Sequence, residues 1–469
     1  MTKKALQSQQ LVRSIKASTE GAAILNGVSD NRLLRLLKNY MTSNDHKLLK
    51  SIYFCGSRVI KAGTGKLPLV YVTANNNDSR LVGITHCHNP WICPVCEPKI
   101  MSRHATDIAC AIDALKQWYG QRAAMITFTI PHTSGIDCKK TMWILRKTWE
   151  DFIIHGKKRL NSKWYSRKTG EMVVGETKSN DAFSSFCEEF EIKHRVRVAE
   201  ITHGEHGWHP HFHCLFWTPA AKLQNMKDWQ ARLEERWMEL AKRNTIKAGL
   251  DPTRVEIMYS RLDRESSHAV YISVDKNGNV IPQESSMYIC GWGGDRELTG
   301  NYQHKASNEG HETPRQILDR AAETGEEKAW ELFMEFARAV RLLKMRRVTY
   351  SCNSGIRQII EKWKRTETYI EFVKKNLTAQ LAENGRWKIV CWFTEEQWSR
   401  IYRLNLDKEI IPKILALARS PYNAFDMIAA FLRRHGIEID DNYELAREPE
   451  LARQLSFFEN QILNQEQTA

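Results

Sequence analysis

Apolar positions along the chain recur at two spacings, and the switches between them predict the order of elements. Residues 102 to 119, SRHATDIACAIDALKQWY, set Ile108, Ile112, Leu115 and Trp118 or Tyr119 on one side of a helix. AAMITFTIP then alternates, with Thr127 and Thr129 against Ile126, Phe128 and Ile130, which is strand spacing. Helical spacing returns at about 138 to 154 through Met142, Leu145, Trp149 and Phe152. RVRVAEITHG and the run from His209 are two strands joined by a short GEHGW turn, which predicts an antiparallel hairpin. A helix at roughly 223 to 243 comes next, then strands TRVEIMYS (253–260) and HAVYISV (268–274). The order α-β-α-β-β-α-β-β predicts an α+β fold: a five-stranded antiparallel sheet flanked by helices, not a doubly wound parallel one. Beyond residue 310 the pattern is mainly helical.

At 469 residues the chain exceeds one ordinary core. The pattern divides it into an N-terminal helical extension (1–50), a cysteine-bearing module (51–101), the sheet domain (102–310) and a helical C-terminal region (311–469). With 42% apolar residues, 26% charged residues and 15 Trp, it reads as globular and not disordered. The formal charge of +14 points to a polyanionic partner, with nucleic acid first. The opening MTKKALQSQQLVRSIK is polar, and no apolar run is long enough to span a bilayer. The expectation is a cytoplasmic protein with reduced thiols and no membrane partner.

In that setting the 11 cysteines need a reason other than disulfides. Most are small buried hydrophobes. ITHCHNPWICPVCEPKIMSRH (84–104) differs: Cys93 and Cys96 form a CxxC, with Cys87 six residues upstream. Clustered thiolates of this kind read as a closed tetrahedral structural zinc site. Cys55, in YFCGSR, is the best fourth ligand. LPLVYVT, a NNND turn and RLVGI form a hairpin that would carry it back. His86, His88 and His104 are alternatives. Downstream, KKRLNSKWYSRKTG mixes basic residues with Trp164 and Tyr165, which suits either single-stranded nucleic acid or an exposed loop.

EHGWHPHFHCLFW (205–217) places His209, His211 and His213 on every second residue, so their imidazoles share one strand face. His211 and His213 lie about 7 Å apart along it. Two imidazoles on one divalent ion call for a harder third ligand, and Glu200 is on the partner strand. His203, Glu205, His206 and His209 compete for that place. Two histidines and a carboxylate with open positions suit Mg²⁺ or Mn²⁺ acting on a phosphate oxygen.

Residues 281 to 300, IPQESSMYICGWGGDRELTG, predict a short helix opened by Pro282 and closed by Gly291. Glu284 and Tyr288 are four apart and share a face about 6 Å apart. A tyrosine beside a carboxylate makes a nucleophile with a base. Spacing alone favours a half-buried aromatic on a sheet-packing helix.

Taken together, FTIP (128–131), EITHGEHGWHPHFHCLF (200–216) and ESSMYICGWGGDRELT (284–299) resemble the three motifs of rolling-circle plasmid replication initiators of the HUH endonuclease superfamily, single-tyrosine class. CHNPWICPVCEPKI resembles the cysteine-rich element upstream of that core. TPRQIL (313–318) and the helix ending MRRVTYSCNSGIR resemble the region downstream of the core in the same family. The resemblance implies a ferredoxin-like or RRM-like palm with the histidine pair on a central strand. It implies His211, His213 and Glu200 as ligands of a divalent ion, and Tyr288 attacking a phosphodiester of a single-stranded or cruciform origin. The products would be a 5′-phosphotyrosine and a free 3′-OH that primes synthesis. Glu284 would activate water at termination. The C-terminal helices would bind the double-stranded origin, or recruit a host helicase or DNA polymerase.

One position departs from the pattern: the family lysine three residues after the tyrosine is Gly291 here. Arg296, Lys305 or Arg195 would have to supply its charge. A relaxase or single-strand transposase would use the same chemistry. A non-catalytic DNA-binding repressor with zinc and a decayed site is the reading from another class, and Gly291 is the feature that keeps it open.

Overall fold

In the computed structural model the described residues are 30–60, 69–76, 79–133, 135–154, 163–165, 172–174, 182–260, 268–283, 310–344, 350–352, 354–371, 388–420 and 423–439. The elements in chain order are α1 (Asp30–Tyr40), α2 (Ser43–Leu48), α3 (Lys50–Tyr53), β1 (Leu69–Ala74), β2 (Ser79–Val82), α4 (Glu97–Tyr119), β3 (Gln121–Thr129), α5 (Cys138–Ile154), β4 (Lys163–Tyr165), β5 (Met172–Val174) and α6 (Ala182–Glu189). Next come β6 (Arg195–Gly204), β7 (Gly207–Pro219), a 3₁₀ helix (Ala220–Trp229), α7 (Gln230–Lys247), α8 (Pro252–Ser260) and β8 (Val270–Ile272). The last are α9 (Pro314–Thr324), α10 (Glu327–Leu342), β9 (Tyr350–Cys352), α11 (Ser354–Trp363), β10 (Lys388–Thr394), α12 (Glu395–Asp407), α13 (Ile410–Ala418) and α14 (Ala424–Arg433).

The expected α+β fold with a five-stranded antiparallel sheet is present, in the order β8-β3-β7-β6-β9. One strand differs from the expectation. TRVEIMYS is helix α8, not a strand. Its Val255 and Ile257 suit either state. Asp251, however, accepts a hydrogen bond from the Arg254 N–H (3.0 Å), and Pro252 needs no N–H partner in a first turn, so the start is capped. Val255, Met258 and Tyr259 then share the buried stripe. The fifth strand is instead β9, which pairs Tyr350 with Val198 on β6.

β7 is central, and its two side-chain sets enter different cores. Phe212, Cys214 and Phe216 face Trp149 and Phe152 of α5, Phe183 and Phe186 of α6, and Leu233 and Trp237 of α7. Leu215 and Trp217 face the opposite way, under Ile108, Ala111, Ile112 and Leu115 of α4 and Ile356, Ile359 and Ile360 of α11. His209, His211 and His213 continue the second set. They therefore occupy the end of a face whose other end is covered by helices.

The expected hairpin of the cysteine module is β1–β2, with Tyr71 opposite Val82. β10 adds to its other side, Leu69 opposite Thr394. α12, α13 and α14 pack on this sheet around Val70, Val72, Phe393 and Trp398. Both larger sheets thus draw strands from distant parts of the chain. No helix among the described residues is long and apolar enough to cross a membrane.

Candidate metal centres

Among the described residues two groups of side chains converge closely enough to hold a metal ion: Cys55, Cys87, Cys93 and Cys96, and Glu200, His211 and His213. In each the ligand atoms lie within 4.8 Å of one another.

The cysteine group is built by three local devices. Cys55 follows α3 at a turn where Gly56 adopts φ +75° and donates a hydrogen bond from its own N–H to Thr85 O (2.8 Å). Asn89 accepts from the N–H groups of Trp91 and Ile92 (2.9 and 3.0 Å), folding the loop between Cys87 and Cys93. Cys96 then sits where α4 begins, so CxxC is wrapped into a helix start. All four thiols are buried. The Sγ–Sγ separations are 3.6 Å for Cys55–Cys96, Cys87–Cys96 and Cys93–Cys55.

Charge around this group is balanced from outside it. Lys38 of α1, 4% exposed, donates to Cys55 O (2.8 Å) and to the Tyr402 hydroxyl of α12. Burial lowers its ammonium to about 8, against the pull of the thiols. His86 Nδ1 lies 3.9 Å from Cys55 Sγ, and its hydrogen bonds to Cys55 and Cys96 raise it to about 9. His86 is thus a neighbour of the group and the four thiols are its members. His104 is elsewhere, stacked on Tyr350 at 4.3 Å.

The second group is set by strand register. Glu200 of β6 lies directly opposite His211 of β7, and Thr127 of β3 directly opposite His213. Direct partners in an antiparallel ladder share a face. Glu200 Oε2 sits 2.5 Å from His211 Nε2 and 2.9 Å from His213 Nε2. Burial of Glu200 would raise its carboxyl, but His211 and the hydrogen bonds from both imidazoles outweigh that and hold it well below the usual range. The pair of Nε2 atoms and one charged oxygen is a donor set for a hard or borderline divalent ion. Thr127 Oγ1 lies 3.0 Å from His213 Nδ1, so it fixes which nitrogen faces Glu200. His211 Nδ1 is buried with no hydrogen-bond partner among the described residues.

The remaining candidates for the third ligand fall outside this group. His209 Nε2 lies 2.8 Å from Thr129 Oγ1, and its ring stacks on His132 at 4.4 Å. Burial, with His211, His132 and His311 nearby, lowers it to about 2, so it is a neutral imidazole. His203 rests edge-on against Trp208. Glu205 and His206 form the hairpin turn. Sequence reasoning passed over His132, His311 and Lys38. Nothing in their local pattern marks them. Thr127 and Thr129 were visible as the polar side of an alternating strand. Glu284 and Tyr288 lie outside the described residues.

The comparisons with known proteins are sparse. Over 137 residues the chain is 29% identical to a protein described as a neomycin resistance protein from Streptomyces cyanogenus, covering 29% of this chain and 30% of that one. The chain thus spans less than a third of that relative's length. No family model matches the chain, and no solved structure matches it.

Proposed function

We propose that this chain is a site-specific single-strand DNA endonuclease and strand transferase that initiates rolling-circle replication. The observation that carries the reading is the convergence of Glu200, His211 and His213 on one sheet face whose far end is roofed by helices. With Mg²⁺ or Mn²⁺ bound there, the cation would neutralise charge on a phosphate oxygen.

Tyr288 would act as nucleophile. Its phenolic oxygen forms a bond to phosphorus, the 3′-oxygen leaves, and the products are a 5′-phosphotyrosine and a free 3′-OH. Chain connectivity supports its reach. Gln283 N donates to Ala123 O on β3 (2.8 Å), and Tyr288 comes five residues later, a span of up to about 17 Å. Thr127, beside His213, is only four residues along β3 from Ala123, about 14 Å away. On the far side of residues 284–309, Glu312 pairs with His203 of β6 through two backbone hydrogen bonds. Gln283 and Glu312, the described residues on either side of 284–309, are thus bonded to the two strands that flank the histidine strand. In this reading Glu284 activates water at termination, and the charge of +14 favours a DNA partner.

The cysteine group would hold structural Zn²⁺. A zinc–sulfur bond of about 2.3 Å gives a tetrahedron edge of about 3.8 Å, close to the 3.6 Å separations between the thiols.

The test is covalent capture. The protein is incubated with Mn²⁺ and end-labelled single-stranded fragments of the DNA flanking its own gene, then run on a denaturing gel. A labelled adduct with the native protein and none with Tyr288→Phe is expected. No adduct with the native protein overturns the reading, and an adduct with Tyr288→Phe overturns the assignment of the nucleophile.

A further inference from the structure

One rung of the sheet links the histidine pair to an exposed tyrosine. Tyr271 of the edge strand β8 lies directly opposite Thr127, and Thr127 lies directly opposite His213. All three therefore project to the same face. Val270 and Ile272, on either side of Tyr271, point into the opposite core. Two inter-strand steps place the Tyr271 backbone about 10 Å from that of His213. Thr127 between them is short, and its hydroxyl is turned to His213 Nδ1 (3.0 Å). The rung is low in the middle, with a ring at its outer end.

Packing does not account for that ring. The chain holds 15 Trp, 14 Tyr and 16 Phe, yet among the described residues whose burial is defined, a set that leaves out Trp164 and Tyr165, Tyr119 and Tyr271 are the exposed ones. Tyr119 ends α4 beside Gln121, at the far end of β3. Tyr271 is 39% exposed on the metal-ligand face, and His268 meets it edge-on at 6.5 Å between ring centroids. One side of the phenol is thereby set while a large part stays open to solvent.

We propose that Tyr271 is the platform on which an unpaired base next to the scissile phosphate stacks, so that the DNA crosses the strands from β8 towards His213. This rests on the nickase reading and specifies its substrate as single-stranded at the cut. An aromatic ring recognises any base that offers its flat face, which a paired and stacked base does not. The ring is what matters here and the hydroxyl is dispensable.

The experiment measures fluorescence anisotropy with a labelled single strand from the DNA flanking the gene, in Mn²⁺, with Tyr288→Phe as parent so that no covalent product forms. Tyr271→Ala and Tyr271→Val should weaken binding by about 5- to 150-fold, while Tyr271→Phe binds like the parent. The valine variant keeps strand propensity, so agreement between the two excludes loss of β8 as the cause. The corresponding duplex should bind all four proteins alike. Equal affinity of parent, Tyr271→Ala and Tyr271→Val for the single strand overturns the proposal. A parent that does not bind single-stranded DNA overturns the nickase reading itself.

Discussion

Glu200 and His211 are eleven residues apart in the chain and face each other across the β6–β7 ladder, with Oε2 2.5 Å from Nε2. A hairpin closed between Gly204 and Gly207 makes this meeting unavoidable, because each residue outward on one strand meets its mirror on the other. The carboxylate is fully buried and held ionised by two imidazoles. A bound cation would replace that mutual contact with three ligand bonds. Glu200→Gln is therefore expected to abolish tight Mn²⁺ binding measured by calorimetry. Thr127→Val, which only removes the hydroxyl beside His213 Nδ1, should weaken it about 10- to 100-fold. Unchanged Mn²⁺ affinity in Glu200→Gln would show that the group does not hold the ion.

The four thiols predict one zinc ion per chain by elemental analysis. Cys93→Ser should lower that content to near zero, because three thiolates and a hydroxyl no longer form the closed set. The consequence should spread beyond the loop. Lys38 of α1 and Tyr402 of α12 meet at Cys55, and Trp398 Nε1 donates to Gly56 O (3.1 Å), so the N-terminal helices and the α12 layer join at this point. Limited proteolysis should accordingly cut the metal-free variant near residues 388–439 faster than the native protein. Equal cleavage rates in the two would argue that the joint holds without metal.

Local spacing exposed β3, β6, β7 and the place of Glu200 on the strand beside the histidines, because period-two alternation and a short turn mark a hairpin and its faces. That Glu200 stands opposite His211 depends on the turn register, which the spacing left open. It failed where period and composition diverge. In α8, Val255 and Ile257 looked like a strand, and the deciding signal was Asp251–Pro252 just before them. β9 has three residues, too few to display any period. The pairing of β1 with β10, over 300 residues away, is a tertiary relation that no window contains. The cysteines were legible as a set because thiolate spacing is itself chemistry, whereas Lys38 joins them from an unremarkable helix.

Phe212 separates His211 and His213 and points the other way, fully buried against Trp149 at 5.6 Å between ring centroids. Arg197 also lies over its ring, at 4.4 Å. Phe212→Ala removes a filled volume on the closed face of the same three residues that place His211 and His213. Large-to-small changes of this kind cost about 3–5 kcal/mol. Urea denaturation should show a loss of that order, and Mn²⁺ affinity should fall as well because the strand loses its anchor. Phe212→Leu should recover most of both. A stability loss below about 1 kcal/mol for the alanine variant would contradict the packing described.

Asp45 caps the start of α2 and ties it to α10. Its carboxylate accepts from Thr42 N (3.1 Å) and from two nitrogens of Arg338 (2.8 and 3.0 Å). Arg338 holds the Asp45 carboxyl at about 2 against the effect of burial, below the usual value near 3.9. A folded value below the unfolded one means the stabilisation is complete above about pH 4 and is lost as pH falls from about 4 to about 2. Arg338 is 44% exposed, so solvent screening limits the contribution to about 1–2 kcal/mol. The difference in urea midpoint between the native protein and Asp45→Asn should be constant from pH 7 to pH 5 and shrink below pH 4. The subtraction cancels acid effects common to both chains, including those at the thiols and Glu200. A difference that persists undiminished at pH 3 would assign the role of Asp45 to its neutral hydrogen bonds with Thr42 instead of its charge.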